Sequence, residues 1–340
     1  MPTTDEQTHR WDEVLDTLVD LLPAGSASVV VDGAVGQPAT LADRLAAHLR
    51  ASGRPCSRLT DATPLSDEDV WLADRATETV AIADGPRWRA HPPAGRWDVV
   101  IWLRPGPGAE PDADVVVDLH DPCWPVIRHV TGRLTGRGRH WYLAECQAFF
   151  AVRADTWDTR FGDELPAYAS AVADAGIPSG ATVVDAGCGT GRALPALRTA
   201  VGSAGLVIGL DLTPQMLAKA RPRSRMAGAH LVLGDARQLP LAAGAVDAVF
   251  AAGLVMHLPD FTAGLGELAR VTRPRGRLII FHPSGRIALA ARHGRALRPD
   301  EPLSESQLEP RLAASGWRLT TYDDPPDRFL AVATRTDEVT

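Results

Sequence analysis

Trp11, Leu15, Leu18, Val19 and Leu22 recur at intervals of three and four, which predicts an amphipathic helix over 11–22. Pro23, Gly25 and Ser26 end it. The run SVVVDG (28–33) reads as a short buried strand, and TLADRLAAHLRASG (40–53) returns to helical spacing and stops at Gly53. RWDVVIWLR (96–104) and DADVVVDLHD (112–121) are two more strands with the loop RPGPGAEP between them. Beyond His120 the pattern loosens through PCWPVIRHVTGRLTGRGRH, the expected end of a first domain and a linker. Residues 144–174 read as helical and carry Phe149, Phe150, Trp157, Phe161 and Tyr168.

From Ala181 the alternation is regular. TVVDAG, LVIGLD, HLVLGD, AVDAVFAA and RLIIFHP are strands, RALPALRTAV, PQMLAKA and TAGLGELARVT are helices, and WRLTTYDD with DRFLAVATR forms a closing hairpin. Strands and helices joined by short connections predict a parallel, doubly wound α/β sheet. The expected organisation is a smaller α/β domain over 1–135, linker and helices over 136–170, and the doubly wound domain over 171–340.

At 340 residues the chain is long enough for two cores. Its formal net charge of −7 argues against a phosphate-neutralising surface, so nucleic acid is not an expected partner. No apolar run reaches the ~18 residues of a membrane span, and the polar, acidic start MPTTDEQTHRWDE does not resemble a secretory signal. Cys56, Cys123, Cys146 and Cys188 are too widely spaced for a zinc site; no metal is expected, and reduced thiols fit a cytoplasmic protein. Lys219 is the only lysine, so nearly all positive charge is arginine.

The chemistry concentrates in the second half. Asp185, Gly187, Gly189 and Gly191 stand in DAGCGTG, between a buried strand and a helix, where glycines let the backbone approach a ligand and the helix presents free amides. A dinucleotide loop has the spacing G-x-G-x-x-G, whereas these glycines alternate and an acid precedes them. That acid is badly placed for a pyrophosphate and well placed for the ammonium group of an amino-acid cofactor. Asp211, ending the next strand, suits both hydroxyls of a ribose, with Leu212 and Met216 behind it for an adenine face. Asp235 ends a third strand, where it suits an adenine amino group, and the Ala236 amide suits a ring nitrogen.

These residues, in VVDAGCGTGRAL, VIGLDLTPQML, LVLGDARQLPL, VDAVFAAGLVMHLPD and ELARVTRPRGRLIIFHP, resemble the class I S-adenosylmethionine-dependent methyltransferases, especially the ubiquinone/menaquinone-biosynthesis-like branch. The resemblance covers the whole second half in order and implies a Rossmann-like domain with S-adenosylmethionine as cofactor. It assigns Asp185, Gly187, Gly189, Gly191, Asp211, Leu212, Met216, Asp235 and Ala236 to the cofactor and sets Ala251 near its methionine end. His257 and His282 are the candidate catalytic groups, and Arg286 and Tyr168 candidate contacts to a small-molecule methyl acceptor. Two rival functions are a cyclase or isomerase that uses only the sulfonium charge, and a non-catalytic regulatory or assembly protein.

VVVDGAVGQPATLADRLAAHL resembles the phosphate loop of uridine kinase-like P-loop proteins, with RWDVVIWL and DADVVVDLHDPCWPVIRHV similar to later segments of that family. With Gly33 and Gly36 aligned to the loop glycines, Pro38 stands where the last glycine belongs and Ala39 where the lysine belongs, leaving Thr40. Pro38 removes an amide and Ala39 a charge that a phosphate cradle needs. Asp32 and Thr40 are then expected as turn and helix-cap residues. The implied domain is a pseudokinase that is structural, holds a substrate, or pairs the chain into a homodimer.

Overall fold

The computed structural model describes residues 2–33, 38–60, 79–92, 95–104, 112–135, 141–160, 164–292 and 294–337, so Gly36 of the phosphate-loop alignment and Phe161 lie outside it. The chain divides into two units, Met1–Ala148 and Phe149–Thr340. No helix among the described residues is long and apolar enough to cross a membrane.

In the first unit, α1 (Thr4–Leu21) is fixed by a reciprocal cap: the Glu6 amide donates to Thr3 Oγ1, and the Thr3 amide donates to the Glu6 carboxylate. Then come β1 (Ala27–Gly33), α2 (Pro38–Ala51), β2 (Cys56–Leu59), β3 (Val80–Asp84), α3 (Pro86–Arg89), β4 (Val99–Arg104), β5 (Val115–Asp118), β6 (Val126–Val130) and α4 (Gly132–Thr135). The sheet order is β2-β3-β1-β4-β5-β6, parallel except for β6, which runs antiparallel to β5. Val29, Val30 and Val31 are fully buried in the central strand. A continuous apolar run marks a parallel strand covered on both faces. Three strands are additions to the sequence expectation. The wholly buried β3 is an apolar run too short to assign by periodicity, β2 is four residues, and β6 arises within the stretch expected to end the domain.

The expected helix over 144–174 is three helices, α5 (Trp141–Ala151), α6 (Trp157–Arg160) and α7 (Leu165–Asp174). Pro166 stands in the first turn of α7. Proline has no amide to donate and starts helices more readily than it continues them.

The second unit continues with β7 (Thr182–Ala186), α8 (Leu194–Val201), β8 (Leu206–Asp211), α9 (Pro214–Ala227), β9 (His230–Leu233), β10 (Val246–Ala252), a 3-10 turn (Val255–His257), α10 (Phe261–Val271), β11 (Thr272–His282), α11 (Arg286–Arg292), α12 (Glu305–Ala314), β12 (Trp317–Asp323) and β13 (Phe329–Arg335). Its sheet runs β12-β13-β11-β10-β7-β8-β9, with β12 and β13 forming the anticipated antiparallel hairpin. This is the Rossmann-like α/β sheet expected for the second half of the chain. Strand alternation sends Val184 and Ala186 to one core, with Leu265, Leu268 and Leu308, and Val183 to the other, with Leu194 and Leu197. Burying each such leucine stabilises the fold by about 1.5–3 kcal/mol. With both faces sealed, the carboxyl ends of β7, β8, β9, β10 and β11 are where a ligand reaches the sheet.

Candidate active site

The loop after β7 folds back onto β8: the amides of Gly187 and Cys188 donate to the Leu210 carbonyl at 2.8 and 2.9 Å. Gly189 has φ +54°, and a Cβ there would meet nothing within 4 Å, so its outer side faces open space. Gly191, at φ +80°, instead sits where a Cβ would lie 2.9 Å from Leu194 and 3.2 Å from Ala220. One glycine leaves room for a ligand, and the other lets α8 pack on α9.

Asp185, at 1% exposure, is the electrostatic centre. Both of its carboxylate oxygens are buried without a hydrogen-bond partner among the described residues. Burial, with the negative charge of Asp211 adding to it, pushes this carboxyl up to about 8. A buried acid with no donor is costly, and a cation delivered to it recovers the missing interaction. The ammonium group of an amino-acid cofactor fits that requirement.

Asp211 accepts from the Gly189 amide with Oδ2 and from the Thr213 amide with Oδ1, both at 2.8 Å. Burial raises its carboxyl, against the pull of those amides. Each oxygen has a further lone pair for a hydroxyl. Asp211 thus braces the glycine loop as well as offering acceptors. Leu212 follows it half-buried, and Met216, at 1% exposure, lies within the fold at the start of α9. Asp235 accepts from the Arg237 amide and is gripped by the Arg237 guanidinium at 2.7–3.1 Å. The Asp235 carboxylate is therefore already engaged by Arg237. Ala236 is buried beside it, and Ala251, fully buried in β10, pairs with Ile280 of β11. Cys188 is buried, and burial raises its thiol well above the usual range, which leaves no thiolate for nucleophilic chemistry.

His257 ends the 3-10 turn after β10 and lies in an aromatic group, its ring 5.2 Å from Phe150 and 6.5 Å from Phe149. Trp157 meets Phe150 at 5.7 Å, and the Arg153 guanidinium covers Phe149 at 3.9 Å. Three of the five aromatics of the 144–174 segment thus gather at His257. His282 ends β11, and its Nδ1 accepts from the Ser284 amide at 3.0 Å. Arg286 donates its amide and Nε to Asp324 at 2.8 Å each, and Tyr322 lies against the same guanidinium, so the arginine is engaged within the fold. Tyr168 packs on Phe281 at 5.0 Å and Phe250 at 6.3 Å. Burial lifts its phenol, which the Arg192 charge opposes and Asp185 reinforces. Tyr168 thus lies within electrostatic reach of Asp185 and Arg192.

Sequence reasoning missed Asp158, Glu164, Arg192 and Arg223. Asp158 accepts from Thr190, Arg192 and Arg223, and Glu164 pairs with Arg192 at 2.5 Å. Nothing in their spacing signals this, because the partners lie on separate segments. Among the described residues there is no group of three or more His, Cys, Asp or Glu side chains able to hold a metal.

Residues 184–280 match the family described as "Methyltransferase domain". An "Uncharacterized 37.1 kDa protein in transposon TN4556" of Streptomyces fradiae is 36% identical over 157 residues, 46% of this chain and 44% of that protein. The demethylmenaquinone methyltransferase of Staphylococcus aureus (strain MRSA252) is 35% identical over 112 residues, 33% of this chain and 46% of its own length. The malonyl-(acyl-carrier protein) O-methyltransferase of Serratia marcescens is 42% identical over 100 residues, 29% of this chain and 37% of its own. The chain therefore spans less than half the length of each of these relatives.

Proposed function

The C-terminal half of the chain carries a class I S-adenosylmethionine-dependent methyltransferase domain, and from that premise we propose that the protein transfers the methyl group of S-adenosylmethionine to a small-molecule acceptor, one belonging to specialised metabolism. The observation that carries the reading is the buried, unpartnered carboxylate of Asp185 at the end of β7, beside the glycine loop. When bound, S-adenosylmethionine supplies a methyl group on a positively charged sulfur, already activated for in-line displacement.

Asp185 takes the ammonium group and Asp211 the ribose hydroxyls, while Asp235, Ala236, Leu212 and Met216 flank the adenine. Gly187, Gly189 and Gly191 bring the backbone against the cofactor, and Ala251 sits near its methionine end. His257 orients the acceptor or removes its proton, with His282 the second candidate base. The rings of Phe149, Phe150 and Trp157 keep water from His257, and alignment without water is most of what this displacement requires. Tyr168 and Arg286 bound the acceptor side.

The first unit reads as a degenerate P-loop pseudokinase domain. The support is β1 at the sheet centre between β3 and β4, followed by a helix that begins at Pro38, Ala39 and Thr40, with no lysine anywhere in the unit. Asp32 accepts the Gly33 amide at 2.8 Å and lies 3.7 Å from Arg89, a turn role rather than a metal-binding one.

Calorimetric titration with S-adenosylhomocysteine, and in parallel with ATP and uridine, tests both readings. The expected result is binding of the first alone. A chain that binds none of the three is not a methyltransferase, and one that binds ATP has a working phosphate loop.

A further inference from the structure

Asp158, on the single turn α6, joins three segments. Its Oδ1 accepts from Thr190 Oγ1 at 2.6 Å and Arg192 Nε at 3.1 Å, and its Oδ2 from Arg223 Nη1 at 2.7 Å. Its carbonyl oxygen takes Arg192 Nη2 at 3.2 Å. Thr190 and Arg192 flank Gly191 in the cofactor loop, and Arg223, on α9, also donates to the Thr190 carbonyl at 3.0 Å. Arg192 is only 6% exposed. Burial works to raise the Asp158 carboxyl, but its three donors outweigh that and hold it below the usual carboxylate range.

We propose that Asp158 is a positioning residue for the cofactor loop, and that through it cofactor binding is coupled to the aromatic segment facing His257. The proposal rests on reading the glycine loop as the cofactor site. Glycines at positive φ leave a loop backbone soft, so a fixed cradle needs side-chain anchors. The two anchoring side chains beside Gly191, Thr190 and Arg192, both reach this carboxylate, Arg192 through Nε while its Nη1 is held by Glu164. The same turn carries Trp157, whose ring meets Phe150, which in turn meets His257. Loop and aromatic segment are thus one connected body, with Asp158 as the joint. By linkage, whatever the segment adds to cofactor affinity, the cofactor returns as ordering of the segment. The neighbouring Asp155–Lys219 pair also ties this segment to α9, but at 83% and 46% side-chain exposure it contributes little.

The test compares the full chain with Asp158→Ala, Asp158→Asn and the control Asp155→Ala. S-adenosylhomocysteine affinity is measured by calorimetry, and amide hydrogen exchange over 149–160 and 187–194 with and without that ligand. Asp158→Ala is expected to weaken affinity about tenfold, within the usual range of coupling between sites. It should also speed exchange in 187–194 before any ligand is added and abolish ligand protection of 149–160. Asp158→Asn, which keeps an acceptor for Thr190 but loses the charge on two arginines, should fall between, and Asp155→Ala should match the parent. In turnover, KM for S-adenosylmethionine should rise with kcat little changed, whereas general destabilisation would lower the active fraction and kcat. Unchanged affinity in Asp158→Ala, or ligand protection of 149–160 as strong as in the parent, overturns the proposal. If the parent chain takes up no S-adenosylhomocysteine, the methyltransferase reading fails instead; unaltered exchange over 187–194 in ligand-free Asp158→Ala would still refute Asp158 as the loop's anchor, and faster exchange would uphold it.

Discussion

Asp185, one residue before the end of β7, and Asp211, the last residue of β8, lie on adjacent parallel strands, and the charge of Asp211 adds to the burial that lifts Asp185 to about 8. Neither forms an ion pair among the described residues; Asp211 is held by backbone amides, and Asp185 by no donor. Two like charges in a low-dielectric site favour keeping a proton on one of them until a cation arrives.

Ligand binding should therefore release a proton. At pH 7 Asp185 is mostly protonated, and an ammonium group placed against it favours the ionised form. Calorimetry of S-adenosylhomocysteine binding in buffers of different ionisation heat should show release approaching one proton. Affinity should rise with pH and level off above about 8. Binding with no proton release would remove Asp185 from the ammonium contact.

The same shift has a stability consequence. A carboxyl raised from 3.8 to about 8 on folding contributes stability that is fully present below the unfolded value and is lost as pH rises through the folded one. At pH 9, without ligand, Asp185→Asn should melt at least about 2 °C above the parent, a shift that ~1 kcal/mol produces in a domain of this size. At pH 4 the two should melt alike. The variant should bind S-adenosylhomocysteine far more weakly, so stability and affinity move in opposite directions.

Asp211→Ala removes the acceptors proposed for the ribose hydroxyls and the acceptor for the Gly189 amide. S-adenosylhomocysteine affinity should fall by about 1–3 kcal/mol, the range for hydrogen bonds to a charged group. Asp211→Asn keeps one acceptor oxygen and should lose less. Unchanged affinity in the alanine variant would detach the ribose from β8.

His257→Ala should leave S-adenosylhomocysteine affinity within a factor of two while kcat on an accepted substrate drops about 100-fold, the lower range for loss of a positioned base. Loss of affinity with kcat retained would place His257 in the cofactor site instead.

In the first unit, Arg10 and Glu145 are each 1% exposed and form an ion pair, with Arg10 Nε also donating to the Pro125 carbonyl at 2.8 Å. The Ile127 amide donates to the same Glu145 oxygen at 2.6 Å, and the other oxygen has no partner among the described residues. Arg10→Met strands a buried carboxylate and should cost about 3–5 kcal/mol in denaturant unfolding. Adding Glu145→Leu should restore much of that loss.

Much of this sheet edge was legible from residue order. The apolar runs before Asp185 and Asp211 and the alternating glycines after Asp185 are local patterns, and a strand followed by a glycine turn and a helix puts the acid near its end at the sheet edge wherever the neighbours lie; Asp235, expected to end a strand, instead lies two residues past β9, because that strand stops at Leu233. The paired state of Arg286 was not legible, because Asp324 approaches it from the turn between β12 and β13. Arg237, two residues from Asp235, was close enough to have been considered.

The sequence by itself determined the second unit's alternating sheet and hairpin, the glycine loop, and the placing of Asp185, Asp211 and Asp235 at or just beyond successive strands. These follow from side-chain periodicity and backbone stereochemistry over a few residues. Only the tertiary structure decided that α5, α6 and α7 are separate helices and that β2, β3 and β6 complete the first sheet. It alone decided that Asp158 binds three side chains from two other segments, and that Asp185 is buried without a donor. Such features depend on which distant segments meet and how much water they exclude, and both the proton affinity of Asp185 and the buried charge of Glu145 are set by that exclusion.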